Sequence, residues 1–135
     1  MNYYEWLPLA EEGVAEAQYN LGLIYSQGKE VSQDDKEAVR WYRQAAEQGF
    51  PEAQTNLGLM YGKGQGIEQD YNESVKWYRL AADQGLAQAQ HNLGVMYGRG
   101  HGVGRDFLDA VKWFRLSAEQ GYAQAQYSLG LMHHR

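Results

Sequence analysis

The chain contains no cysteine. That absence removes any disulfide framework and any Cys-based metal or redox site, and it makes a reducing compartment the simpler expectation. There is also no run approaching the ~20 apolar residues that a membrane-spanning helix needs. The first residues, Met1-Asn2-Tyr3-Tyr4-Glu5-Trp6, show no basic stretch leading into an apolar one, so no secretory leader is visible. A cytoplasmic location is the default expectation; a periplasmic or secreted one would follow if a leader had been trimmed. Positive charge is in deficit as well, with 12 Lys and Arg against 17 Asp and Glu and a net charge of −5. Nucleic-acid surfaces cluster Lys and Arg to neutralise phosphates, so no nucleic-acid partner is expected. What is present, 44% hydrophobic and 21% charged residues, excludes wholesale disorder and can build a core. A length of 135 residues makes one ordinary domain.

Self-comparison reveals the organisation. Trp41, Trp77 and Trp113 are spaced 36 residues apart, as are Gly13, Gly49, Gly85 and Gly121, and Gly22, Gly58, Gly94 and Gly130. More than half of the positions in 51–86 are identical to their counterparts in 87–122. A period of this length means a solenoid, propeller or array. Within a unit, Ala53, Leu57, Met60 and Tyr61 fall at helical spacing, and Val75, Tyr78, Ala81 and Ala82 form a second helical stripe. No segment sustains a period of two. Each unit is therefore a pair of antiparallel helices, A then B.

The punctuation agrees. Gly62-Lys63-Gly64-Gln65-Gly66 and Gly98-Arg99-Gly100-His101-Gly102 join A to B with residues that permit positive φ. No strand precedes these loops and no Lys-Ser/Thr follows, so they are turns rather than phosphate cradles. Helix B opens at Asp34, Asp70 or Asp106, three residues before Glu37, Glu73 or Asp109, the spacing of a capping box. It closes at Gly49, Gly85 or Gly121, and Pro51 suits the first turn of the next helix. Ala17, Ala53, Ala89 and Ala125, with the helix-A glycines, let helices approach closely, and the tryptophans are expected to cover the joint to an adjacent unit.

The pattern Ala53, Leu57-Gly58-Leu59-Met60-Tyr61, Gly64-Gln65-Gly66-Ile67, Asp70, Ser74-Val75-Lys76-Trp77-Tyr78, Ala81-Ala82 and Gly85 resembles the Sel-one-like repeat family, a relative of the tetratricopeptide repeats. The resemblance extends over nearly the whole chain. It implies a right-handed α/α superhelix that serves as a scaffold or adaptor for other proteins, commonly in bacterial signalling, envelope or host-interaction settings, with A helices lining the concave wall. Some positions depart from the pattern. Glu30 stands where Gly66 and Gly102 stand, so the first A–B loop should take another shape. Pro8 stands where Gln44 stands, so the first helix should be kinked or broken there. His133 replaces the tyrosine of the other A helices. The Cys pair of some branches is missing, which weakens any cell-wall-related activity such as β-lactam binding.

Chemistry-bearing constellations are sparse. His91, His101, His133 and His134 include no i, i+4 pair, so no metal site is expected. Ser26, Ser32, Ser74, Ser117 and Ser128 lie at loop or repeat positions without a triad arrangement. No catalytic residue, enzyme activity or cofactor is expected. Arg40, Arg43, Lys76, Arg79, Lys112 and Arg115 form a basic stripe on helix B, but each has an acidic neighbour three or four residues away: Glu37–Arg40, Arg43–Glu47, Glu73–Lys76, Arg79–Asp83, Asp109–Lys112 and Arg115–Glu119. Such a surface is expected to neutralise itself. At ~100° per residue, Tyr19, Leu23, Thr55, Leu59, His91, Val95, Tyr127 and Leu131 lie away from the A–B core, beside Asn20, Asn56, Asn92 and Ser128. Amides that pair with peptide backbone, next to changing aromatics that offer buried area, suit peptide recognition.

The expected architecture is all-α, a solenoid of antiparallel helix pairs forming one domain over 1–135. It divides into a partial unit 1–14, units 15–50, 51–86 and 87–122, and a half unit 123–135. Helix A is expected near 15–26, 51–62, 87–98 and 123–134, and helix B near 2–12, 35–48, 71–84 and 107–120. The expected function is a protein-interaction scaffold holding a partner's peptide or helix on Tyr19, Asn20, Leu23, Thr55, Asn56, Leu59, His91, Asn92, Val95 and Tyr127. The alternative is an assembly module. Leu129 and Met132, at the positions of Leu57 and Met60, would be left open at the C-terminal end, with only His133-His134-Arg135 polarising its tip; either further repeats continue the native protein, or two chains pair there as a homodimer. A cell-wall-related binding protein or enzyme is the remote alternative.

Overall fold

The computed structural model describes residues 1–133. His134 and Arg135, with the side chain of His133, lie outside it, and with them the expected polar tip. Eight helices occupy the described residues: α1 (Tyr3–Glu11), α2 (Ala15–Gln27), α3 (Asp35–Glu47), α4 (Pro51–Lys63), α5 (Tyr71–Asp83), α6 (Ala87–Arg99), α7 (Phe107–Glu119) and α8 (Ala123–His133). Each packs on the helix before it and the helix after it, and no other pair packs extensively. That is the solenoid read from the sequence, in the order B-A-B-A-B-A-B-A.

Burial follows the periodicity. On α5, Ser74, Val75, Trp77, Tyr78, Ala81 and Ala82 are buried while Lys76, Leu80 and Asp83 face water. α4 buries Ala53, Gln54, Thr55, Leu57, Gly58, Met60 and Tyr61. Each tryptophan of helix B covers the joint to the preceding unit. Trp41 clusters with Ala10, Ala17 and Leu21, Trp77 with the α3–α4 core, and Trp113 with Val75, Ala82, Leu93 and Met96. A side chain of this size buries roughly 150–250 Å².

The helix ends follow the expectation only in part. The side chains of Asp34, Asp70 and Asp106 accept the N–H of Glu37, Glu73 and Asp109 at 3.1, 3.2 and 3.1 Å. The reciprocal half of the box is not formed on these helices. The cap N–H groups of Asp34, Asp70 and Asp106 instead donate to the carbonyls of Tyr25, Tyr61 and Tyr97 at the end of the preceding helix A, each at 3.0 Å. These bonds leave Glu37 and Glu73 to pair with Arg40 and Lys76. α1 carries the full reciprocal box, between Asn2 and Glu5. Helix B closes as expected: Gly49 has φ +90°, its N–H donates to Ala46, and that of Phe50 reaches back to Ala45.

Two departures resolve differently. Pro8 does not break α1, which runs through it; Tyr4, whose carbonyl loses its donor, is exposed to water, and Glu12 resumes the ladder on the Pro8 carbonyl at 3.1 Å. The first A–B loop does differ. Gly66 and Gly102 adopt φ of +74° and +75° against the backbone of Asp35 and Tyr71. Glu30 adopts no positive φ. Its carboxylate instead accepts the N–H of Tyr3 at 3.0 Å, capping α1.

A polar joint accompanies the tryptophans and was not anticipated. Buried Gln54 donates to the Ala46 carbonyl at 3.1 Å, and its own oxygen accepts from Gln84 at 2.9 Å. Gln84 also donates to the carbonyl of Gly49 at 3.0 Å. Gln18 with Gln48, and Gln90 with Gln120, repeat the arrangement. One side-chain pair thus ties three consecutive helices and gives the Ala46 carbonyl, which already accepts the N–H of Gly49, a second donor.

Within a unit, helices A and B meet at a glycine. The Tyr78 ring lies so close to Gly58, and Phe114 to Gly94, that an added Cβ would fall 2.8 Å from ring carbons. Tyr42 lies against Gly22 in the same way, whereas among the described residues nothing stands within 4 Å of a Cβ at Gly130. Gly58→Ala should therefore lower unfolding free energy by about 1–3 kcal/mol, overpacking outweighing propensity, while Gly130→Ala should raise it by up to about 1 kcal/mol through helix propensity alone. Denaturant titration of the two variants measures this; shifts of the same sign contradict the contact.

Candidate partner-binding surface

The residues expected on the outer side of the A helices do not share one fate. Thr55 is buried at 1% exposure and donates to the Pro51 carbonyl at 2.9 Å, so it offers nothing to a partner. Tyr19 is half-buried between Tyr42 and Phe50, with ring centroids 6.0 and 5.4 Å away, and burial raises its pKa from the ordinary phenol value. His91 sits in the same register between Phe114 and Tyr122. One ring nitrogen of His91 lies 3.1 Å from the Ser128 hydroxyl, while Nδ1 is buried without a partner. Burial lowers the His91 pKa, favouring the neutral ring. This register therefore fills the space between neighbouring A helices. Tyr127, with no further unit described beside it, is 70% exposed.

The next register is open. Leu23, Leu59 and Val95 are partly exposed, as are Asn20, Asn56 and Asn92. The Asn20 amide turns back to the Glu16 carbonyl at 2.8 Å, and Asn56 lies beside the hydroxyls of Tyr19 and Tyr42. Asn92 is different: with Leu59 and Val95 it lines a cavity of about 230 Å³ between α4, α5 and α6, whose wall includes Lys63, Tyr71, Tyr78, Arg99 and His101. One unit further on, Val95, Ser128 and Leu131 line a cavity of about 310 Å³ with Arg99, Arg105, Phe107 and Phe114. Leu59, Lys63, Tyr71, Tyr78, Asn92 and Val95 in the first correspond, 36 residues on, to Val95, Arg99, Phe107, Phe114, Ser128 and Leu131 in the second. The repeat thus repeats its hollows as well as its core. Sequence reading placed Leu59, Asn92 and Val95 here but missed the aromatics of helix B and the cations at the ends of helix A. The matched spacing of Lys63 and Arg99 was the available signal.

The basic stripe of helix B is arranged differently from the expectation. Arg40–Glu37 at 3.0 Å and Lys76–Glu73 at 3.8 Å are the ion pairs formed among the described residues. Arg43 and Arg79 instead donate to the hydroxyls of Tyr61 and Tyr97 on the following helix A and lie over their rings. Arg40, Lys76 and Lys112 lie over Trp41, Trp77 and Trp113 at 4.5, 5.0 and 4.9 Å. Stacking on aromatics at the joints, more than carboxylate pairing, accounts for the stripe. Among the described residues no three His, Asp or Glu side chains gather as a metal site would require, and no helix is long and apolar enough to cross a membrane.

Comparison with known proteins fits this geometry. The Sel1 repeat model matches residues 15–50, 51–86, 87–122 and 123–135. The chain is similar to a protective antigen present in uropathogenic Escherichia coli strains and displaying an SLR fold, at 50% identity and a TM-score of 0.92, covering 96% of this chain and 28% of that one. It is also similar to a Sel1 repeat protein from Oxalobacter formigenes, at 39% identity and a TM-score of 0.84 over 94% of this chain and 96% of that one. Helicobacter pylori cysteine rich protein B, 20% identical with a TM-score of 0.70 over 84% of this chain and 92% of that one, shares the fold. No curated protein sequence matches. With repeat matches running from residue 15 to residue 135, the chain belongs to the Sel1 repeat family.

Proposed function

We propose that this chain is a protein-interaction scaffold that holds a peptide or helix of its partner in the groove lined by the A helices. Sel1 repeat proteins generally act as scaffolds between proteins, and their fold is typically non-catalytic. The observation that supports the groove is the pair of hollows recurring in the 36-residue register, with Leu59, Asn92 and Val95 at their walls. Hollows that part-exposed apolar side chains share with an amide suit anchoring side chains of a bound segment. Asn20, Leu23 and Asn56 are part-exposed on the same side of the earlier A helices, and Tyr127 carries the proposed face onto α8. A Leu59→Arg/Val95→Arg variant should reduce partner recovery from source lysate about ten-fold or more, whereas Lys36→Glu on the outside of α3 should leave it unchanged. Equal recovery by both, with unaltered helicity, contradicts the groove.

A second reading, assembly through the α7–α8 end, is favoured by one observation. Leu108 is 84% exposed and Leu131 50% exposed, and Phe107, Leu108, Val111 and Met132 surround a further cavity of about 290 Å³. Apolar side chains gathered in this way mark interaction surfaces. Light scattering over a concentration series should show association that Leu108→Glu abolishes; a native chain monomeric throughout would remove this reading.

A further inference from the structure

The two hollows are not neutral. Lys63, Arg99 and Arg105 stand in their walls, Arg99 in both, and no Asp or Glu lines either. The ion pairs among the described residues are both on helix B, so these three cations have no carboxylate within ion-pairing distance there. The chain as a whole carries a net charge of −5. Other cations, Arg43, Arg79, Lys112 and Arg115 among them, also lack an ion pair among the described residues. What distinguishes the hollows is that every fully charged side chain in their linings is a cation, against the acidic excess of the whole chain.

Helix polarity explains part of this. Lys63 and Arg99 occupy the last turns of α4 and α6, where a cation meets the negative end of the helix dipole. It does not explain why carboxylates are excluded from both linings. Nor does it explain Arg105, which precedes α7 and whose guanidinium lies 4.6 Å over the Phe107 ring. At about 230 and 310 Å³ the hollows sit at the lower limit of small-molecule pockets, which begin near ~300 Å³. That size fits single side chains.

We propose, resting on the groove reading above, that these hollows receive apolar side chains of an acidic protein segment whose carboxylates pair with Lys63, Arg99 and Arg105. Guanidinium groups hold carboxylates through paired hydrogen bonds, and a lining that holds cations and no carboxylate draws an anionic segment. A nucleic acid fits less well. It wants a continuous cationic track with free aromatic faces for bases, whereas Tyr71 is already stacked on His101 at 4.3 Å and Phe107 lies under Arg105.

Selection of a displayed library of random short peptides on the intact chain tests this without presupposing a sequence. Enriched peptides should combine Asp or Glu with Leu, Phe or similar residues, weaken as salt rises, and bind Arg99→Glu at least about ten-fold more weakly. Lys63→Glu serves as the second charge reversal, with helicity and melting temperature verifying that each variant is folded. Neutral or basic winners overturn the proposal, as does undiminished binding to both reversals or displacement of the peptide by a mixed-sequence single-stranded oligonucleotide. If winners depend on Val95 but not on the charges, the groove stands and its acidic specificity fails. If no peptide is enriched, both fail.

Discussion

The close contact between an aromatic ring of helix B and a glycine of helix A is the constraint on which the rest of the molecule depends. Tyr42, Tyr78 and Phe114 lie where a side chain on Gly22, Gly58 or Gly94 would otherwise stand. The contact sets how near the two helices of a unit approach. That spacing fixes where Trp41, Trp77 and Trp113 emerge to cover the preceding unit. It also brings the Gln18, Gln54 and Gln90 amides between two B helices. Each unit contacts only its neighbours, so stability is a sum of such local terms. The same regularity that repeats the core also repeats the hollows along the A helices.

Much of this was legible in the sequence, because identity at 36-residue spacing exposes the repeat before any secondary structure is assigned. Helix limits, the Asp caps, the C′ glycines and the covering role of the tryptophans follow from residue chemistry and period. What stayed hidden depends on contacts between units. Nothing local reveals that the cap N–H of Asp70 is taken by Tyr61, because that bond needs the A–B turn in place. The glutamine joint joins residues 30 apart whose side chains meet only once three helices are stacked. Arg43 and Arg79 have acidic neighbours along their own helix yet turn to tyrosines on the next one.

The binding surface shows the same division. A helical wheel separates the core side of an A helix from its other side, but it cannot tell which part of that other side a neighbouring helix will cover. Thr55 and Leu59 stand four residues apart on one face; the first is enclosed by the solenoid and the second opens onto a hollow. Variation along the repeat follows this. The enclosed register alternates Tyr19, Thr55 and His91 to fit its local space, while the open register keeps Leu23, Leu59 and Val95 aliphatic. Under the proposed scaffold role, partner choice would rest on few positions, the cations at the ends of helix A foremost.

The central claim is that the recurring hollows on the A-helix side are where a partner segment sits. Amide chemical-shift mapping of the isotopically labelled chain, titrated with a bound peptide, tests it most directly. The account predicts perturbations concentrated around Leu59–Lys63, Tyr71–Tyr78 and Asn92–Arg99. Perturbations confined to the outward surfaces of α3, α5 and α7, with those residues unmoved, would contradict it.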